Sequence, residues 1–259
     1  MAREQSILQS VDNALRVLES FSVTEPELGI AELSRKLGLG KSTVFRLVST
    51  LAARGFLAKN PANDKYRLGM KALYIGGLAL RQIDLVKDSR PFLDTLVLKS
   101  GEAAHLAILD EGHIIFINKA ESGRAMSMGS TIGARMPAYI TATGKTLLAH
   151  LPDDELEAYL RQTQFKRYTA NTITDPDQLR SCLQEIRARG YGTDMEESEE
   201  GLMCIAAPVR NNRGQVIAAM SISGSAVRMH RRFDEFRQLV MEQAEELSRT
   251  LGWNPSVKW

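Results

Sequence analysis

Eight basic side chains fall between Arg35 and Arg67, namely Arg35, Lys36, Lys41, Arg46, Arg54, Lys59, Lys65 and Arg67, against one acid, Asp64. Eight charges against one give +7 over 33 residues, in a chain whose net charge is +2. The chemistry such a set performs is polyanion binding, because clustered cations displace the counterions of a phosphate backbone. Within it, Lys41, Ser42 and Thr43 offer an ammonium and two hydroxyls of the kind that hold phosphate oxygens. Arg46 carries the planar fork that reads a guanine edge bidentately. Ser49 and Thr50 follow one helical turn later.

Those groups act together only if a rigid element presents them. Val44, Leu47, Val48 and Leu51 recur at helical spacing and predict a helix from about Gly40 to Arg54, with Lys41, Ser42, Thr43, Arg46, Ser49 and Thr50 on its outer face or N-terminal end. A preceding helix follows Gly29, carries Ile30, Leu33 and Leu37 on one stripe, and stops at Gly38, where positive φ is favoured. The short connection Gly38-Leu39-Gly40 predicts a helix-turn-helix, whose second helix enters the DNA major groove by its N-terminal part. An earlier helix carries Val11, Ala14, Leu15, Leu18 and Phe21 behind Ser10 as N-cap and ends before Pro26. Residues 55–59 and 65–68 read as short strands around the turn 60–64, a wing that places Lys59, Lys65 and Arg67 against backbone or minor groove. The run Gly40-Lys41-Ser42-Thr43 is similar to the end of a phosphate-binding P-loop, but Arg35 stands where that loop needs its first glycine.

The totals set the frame. At 259 residues with 44% apolar content the chain accommodates two domains. Residues 1–70 hold ten basic and seven acidic side chains, and the remainder 23 and 24, so only the head is basic. Cys182 and Cys204 form no disulfide framework and no zinc spacing. No apolar signal core and no run near the roughly 18 residues of a membrane span is present. The expectation is a cytoplasmic protein with reduced thiols, no membrane contact, no metal and no cofactor.

Beyond the head, Met70 to about Val86 reads as a linker helix, with Leu73, Leu80 and Ile83 apolar and Gly76-Gly77 weakening it. Pro91 is expected to start a further helix ending at Gly101. Ala103–Leu109 and Ile114–Lys119 flank the turn Asp110-Glu111-Gly112, a hairpin signal. A polar loop covers Glu121 to Gly133, and helices cover 143–151 and 153–160. Asp175 caps a helix that begins at Pro176 and ends at Gly190. A second hairpin, 206–209 and 216–223, precedes a final amphipathic helix with Phe233, Phe236, Leu239, Val240, Leu247 and Leu251. Helices segregated around an antiparallel sheet predict an α+β sensor-like domain. The expected partition is 1–69 winged helix-turn-helix, 70–86 linker helix, and 87–259 effector-binding domain.

With these elements in place, the chain resembles the IclR family of bacterial transcription regulators along its whole length. The head "SVDNALRVLESF…IAELSRKLGLGKSTVFRLVSTLAARGFL" is similar to that family's winged helix, and "STIGARMPAYITATGKTLLAH" to its effector loop. The most specific match is "GYGTDMEESEEGLMCIAAPVRNNRGQVIAAMSISG", with Gly190, Asp194, Glu197 and Cys204 at the family's spacing. Arg210 departs from the pattern, since an aromatic residue or histidine usually precedes Asn211, and this alters the charge expected near the pocket. The resemblance implies a GAF-like effector domain, dimers or dimers of dimers, operator DNA as partner and a small organic acid as effector. It also implies pocket contacts from the backbone of Gly133 and Ala134, from Asp194, Leu202 and Cys204, and from the hydroxyls of Ser221 and Ser223. Main-chain amides with two hydroxyls on one strand face hold a carboxylate without a buried cation. Asp194 repels an anion directly, so it favours a ligand hydroxyl, a bridging water or its own protonation.

Three functions compete on these residues. A regulator whose operator affinity a metabolite sets is the leading one. An enzyme with a DNA-binding appendage would need a site such as Cys204 with one of His105, His113, His150 or His230; these histidines form no metal motif, and no catalytic residue is assigned. An architectural DNA binder would keep positive charge over most of its surface, which residues 71–259 do not. Activator or repressor, dimer or tetramer, and aromatic, keto, hydroxy or sugar acid all stay open.

Overall fold

The structure, a computed structural model, describes residues 7–22, 24–81, 84–123 and 131–255. It divides into two compact units, Met1–Gln82 and Ile83–Trp259. Ile83, the side chain of Leu80 and positions 124–130 of the polar loop lie outside the described residues.

The first unit holds helices α1 (Gln9–Glu19), α2 (Ile30–Leu37) and α3 (Lys41–Ala53), the antiparallel wing strands β1 (Leu57–Lys59) and β2 (Tyr66–Leu68), and α4 (Met70–Arg81). Its core is Val17, Leu28, Leu33, Val44, Val48, Leu57 and Tyr66. Leu28 pairs with Tyr66 and so ties the segment before α2 to the wing. Gly38 sits at φ +68°, where a side chain would strain the turn between α2 and α3. Two expectations for α1 need correction. The helix starts at Gln9 behind Leu8, so Ser10 lies inside it and is not the cap. The helix also turns Asn13 and Val17 inward, leaving Val11 and Leu15 about half exposed beside exposed Leu8.

The second unit opens with α5 (Asp84–Ser100). Pro91 lies within this helix and does not begin it, and Val86 belongs here and not to the linker helix. Proline removes one helical hydrogen bond. Full burial of Leu93 and Leu96, and the Asn118 amide donating to Val86 O (2.8 Å) and Ser89 Oγ (2.9 Å), hold the helix across it.

A six-stranded antiparallel sheet follows in the order β5-β4-β3-β8-β7-β6. Its strands are β3 (Ala103–Asp110), β4 (His113–Ala120), β5 (Arg135–Pro137), β6 (Gly192–Met195), β7 (Leu202–Arg210) and β8 (Val216–Ser225). Helices α6 (Ala142–Leu148), α7 (Asp153–Gln162), α8 (Pro176–Arg189), α9 (Ala226–Arg231) and α10 (Phe233–Thr250) complete the unit. One sheet face packs Leu106, Ile117, Met203, Ile205, Met220 and Ile222 with residues of α5 and α10. The other carries Ala107, Phe116 and Ala219 against a cluster that includes Leu147 of α6 and Leu179, Leu183 and Ile186 of α8. Asp175 caps α8 by accepting the Gln178 amide (2.8 Å), and Gly190 ends it at φ +80°. The unit is α+β, as its pattern predicted. No helix among the described residues is long and apolar enough to cross a membrane.

Candidate functional site

The first candidate surface is the outer face of α3. Val44 and Val48 are fully buried, which turns Lys41, Ser42, Thr43, Arg46 and Thr50 into solvent and leaves Ser49 partly covered. The eight-to-one reckoning changes in space. Acids just outside that window fold onto it: Lys36 pairs with Glu25, and Lys65 with Glu32 at 2.9 Å. Lys59 pairs with Asp64 at 2.6 Å. The expected wing cations Lys59 and Lys65 are therefore engaged within their own unit. Among the described residues Lys41, Arg46 and Arg67 form no salt bridge. Phe45, unanticipated, projects from the same helix 56% exposed beside Arg46.

The second candidate is a cavity of about 310 Å³ on the sheet face covered by α6. Strand alternation builds it. Asp194, Cys204 and Ser223 are register partners across β6, β7 and β8, so their side chains form one row. In the next row His105 of β3 opposes Ser221 of β8. Leu202, Ala134, Thr141, Thr143, Ser198 and Phe116 complete much of the wall. Gly192 makes the row fit under the helix: a Cβ there would stand 2.4 Å from Thr146 Oγ1. A second, more open groove of about 1160 Å³ has Tyr139 Oη bonded in both directions to the Lys166 backbone and His150 Nδ1 2.8 Å from Thr146 O, while the buried Tyr159 hydroxyl has no hydrogen-bond partner among the described residues. The smaller cavity is the one whose lining holds a buried carboxyl, Asp194, together with a buried imidazole, His105.

Burial sets their protonation. Asp194 is 1% exposed, and burial raises its carboxyl to about 6, against hydrogen bonds from Ser198 and the Glu197 amide and the nearby Lys145 ammonium. His105 lies against the Phe116 ring with its Nδ1 3.4 Å from Ser223 Oγ, and burial, aided by Lys119, pushes it down to about 3. Burial and the adjoining Asp194 carboxylate push the Cys204 thiol well above its usual range. A nucleophilic cysteine needs the opposite shifts, toward thiolate and imidazolium. The cavity is built to bind. No three His, Cys, Asp or Glu among the described residues are grouped to hold a metal.

Of the expected pocket residues, Ala134, Asp194, Leu202, Cys204, Ser221 and Ser223 come together around this cavity; Gly133 is not in its lining. The main-chain amides expected to hold a carboxylate are engaged within the protein: Gly133 N donates to Phe116 O at 2.8 Å and Ala134 N to Thr131 O at 2.9 Å. The hydroxyls of Thr141, Thr143 and Ser198 line the cavity in their place. Arg210 does not reach the cavity; its guanidinium donates to Gly214 O at 3.0 Å, at the hairpin end of β7. Sequence reasoning missed His105, Phe116, Thr141, Thr143 and Ser198. Only the even spacing of His105 and Ala107 along a strand opposite Ser221 could have found the histidine.

Comparison with known proteins completes the picture. Residues 10–61 match the IclR helix-turn-helix domain, and residues 77–249 match the bacterial transcriptional regulator IclR C-terminal domain. The chain belongs to the IclR family. Two Escherichia coli (strain K12) members are similar over nearly their whole length. HTH-type transcriptional regulator XynR is 38% identical, covering 95% of this chain and 98% of that one, and HTH-type transcriptional regulator KdgR is 37% identical, covering 94% and 95%. A crystal structure of an IclR homolog complexed with 4-hydroxybenzoate, from Microbacterium hydrocarbonoxydans, matches with TM-score 0.81 at 26% identity over 93% of this chain and 98% of that one. As an IclR-family member the chain is a transcriptional regulator, with a helix-turn-helix DNA-binding domain followed by a ligand-binding domain. Its relatives are named regulators and repressors, not enzymes, in keeping with the unactivated cysteine.

Proposed function

We propose that this IclR-family chain is an operator-specific regulator whose DNA affinity is set by a small organic acid held in the cavity beneath α6. The observation that carries the reading is the row Asp194–Cys204–Ser223 with His105 and Ser221 beside it, polar groups assembled on an otherwise apolar sheet face. Neutral hydroxyl donors suit a carboxylate, and the 4-hydroxybenzoate complex of a relative supports an acid in this fold. A coupling of roughly 1–3 kcal/mol between ligand and DNA would change operator affinity about 5- to 150-fold. The test is anisotropy binding to an operator selected from random duplexes, with and without a panel of monocarboxylates. An acid that shifts the Kd in wild type and not in Ser221→Ala supports the reading, and an operator affinity indifferent to every acid sinks it.

On the DNA side, α3 enters the major groove with Arg46 on a base edge, Lys41, Ser42 and Thr43 on phosphates, and Ser49 at the groove wall, with Arg67 as the wing contact and Lys59 and Lys65 joining it once exchanged from Asp64 and Glu32 to phosphate. The protein acts as a homo-oligomer in the cytoplasm. Exposed Met70, Leu73, Tyr74, Ile75 and Leu78 of α4, with Val11 and Leu15 of α1, supply apolar surface for a second copy. Two recognition helices about 34 Å apart would then read a palindrome. Sedimentation of Leu73→Glu checks this, with monomer expected and unchanged oligomer mass counting against it.

A further inference from the structure

Around Asp194 the buried charges do not balance. Two carboxyl groups, Asp194 and Glu197, share one buried ammonium, Lys145. Lys145 Nζ is bonded to Glu197 Oε1, and the buried Glu197 Oε2 has no hydrogen-bond partner. Asp194 Oδ1 accepts the amides of Glu197 (2.7 Å) and Ser198 (3.3 Å), and Oδ2 accepts the Ser198 hydroxyl at 2.5 Å. From β7 the group is faced by the protonated Cys204 thiol, from β8 by the Ser223 hydroxyl, and from β3 by the neutral His105 ring. Thr141 and Thr143 add hydroxyls from the start of α6, and Glu199 lies at the wall. Arg135 of β5 also lines the cavity, but its guanidinium is bonded to the Asp110 carboxylate (2.8 Å) and carbonyl (3.3 Å).

Lys119 of β4, opposite His105, is paired with Glu121 at 3.1 Å. An entering carboxylate thus meets two acids and cations that are already bonded. In so dry a site like charges repel strongly. One proton removes the conflict. We propose that the cavity takes its organic acid together with one proton from solvent, held on Asp194 Oδ2, which then donates to the ligand carboxylate. The pair becomes O–H···O⁻, and the Ser198 hydroxyl is released to turn toward the ligand. The Asp194 carboxyl, already raised to about 6 in the empty site, is part of the way to carrying that proton at neutral pH, and the ligand's negative charge supplies the rest of the rise. Ligand occupancy, and with it the state of the DNA-binding heads, then reports acidity as well as metabolite concentration. This rests on the organic-acid reading given above.

Linkage fixes the sign. Above about pH 6 affinity for the acid weakens roughly tenfold per pH unit, and below it the profile flattens because Asp194 is protonated before the ligand arrives. The test is calorimetry of the full-length protein with 4-hydroxybenzoate and a panel of 2-keto and 2-hydroxy monocarboxylates, at pH 7.5 in phosphate, HEPES and Tris. Uptake of close to one proton per acid bound is expected, and Asp194→Asn should abolish both the uptake and the pH slope. Binding without proton uptake, flat from pH 6 to 8 in wild type, overturns the proposal while leaving the organic-acid reading standing. A primary amine that binds where no acid does overturns both.

Discussion

The face of α3 and the cavity beneath α6 both confront an anion, with opposite means. On α3 the polar groups stand in solvent on one helix, within a few residues of each other, and Lys41 and Arg46 keep their charge available. In the cavity most are buried, come from four strands, a loop and a helix start, and are nearly all neutral: hydroxyls, a thiol, an unprotonated imidazole. A long polyanion releases counterions along its length, so mobile surface cations suffice. A small carboxylate releases none, and an unpaired cation held for it inside would destabilise the empty fold. The difference teaches that anion recognition need not be written in charge.

The comparison can be broken first at its buried end. Lys145→Ala leaves Glu197 without its partner, and loss of about 3–5 kcal/mol is expected. A lowered denaturant midpoint with salt-dependent DNA affinity intact in the folded fraction is the outcome to look for; a change under 1 kcal/mol would mean the pair is solvated. At the exposed end, Arg46→Ala should cost roughly 1–3 kcal/mol of operator binding and relax discrimination at one base pair, measured by competition against mismatched duplexes. Its folding midpoint should not move.

A smaller effect separates the two buried titrating groups. His105 is depressed from its ordinary 6.5, so the unfolded chain gains a proton the folded one refuses, and stability falls as pH drops below that value. Asp194 is raised from 3.8, so the folded chain takes up its proton first and stability rises as pH falls through about 6. Between pH 7 and 5 the two oppose each other. Urea unfolding of Asp194→Asn should then lose about 2 kcal/mol over that interval, while His105→Gln gains about 1. Parallel slopes in the two variants would show that neither group is as buried as its position indicates. The smallest expected effect is at the wing: Asp64→Asn frees Lys59 and should tighten DNA binding slightly at low salt, vanishing at high salt.

These two regions also differ in how much of them the chain betrays. The α3 face is legible because its apolar stripe, its glycine punctuation and its polar residues are all local, and local periodicity predicts them. What escaped even there was non-local: Glu25 and Glu32, outside the basic window, fold back to neutralise Lys36 and Lys65. In the cavity, Cys204 and Ser223 become neighbours only through strand register, so the residues were reached by family resemblance, and their chemistry could not be. The exclusion of Gly133 and Ala134 as amide donors follows from loop hydrogen bonds that no spacing encodes. Strands β5 and β6, of three and four residues, are too short for a period of two to register. Pro91 misled because proline opens helices more often than it lies inside them, and only the buried Leu93 and Leu96 overrule it.

The sheet's alternation has a consequence for how such a molecule diversifies. One face of β7 and β8 carries Met203, Ile205, Met220 and Ile222, the foundation shared with α5 and α10, and the other carries Cys204, Ser221 and Ser223. Substitution at every second position can therefore re-specify the ligand while the alternate positions keep the fold. A descendant that changed its metabolite would leave the α5- and α10-facing residues untouched, and its ancestry would remain written on one face of the same strands whose other face had moved on.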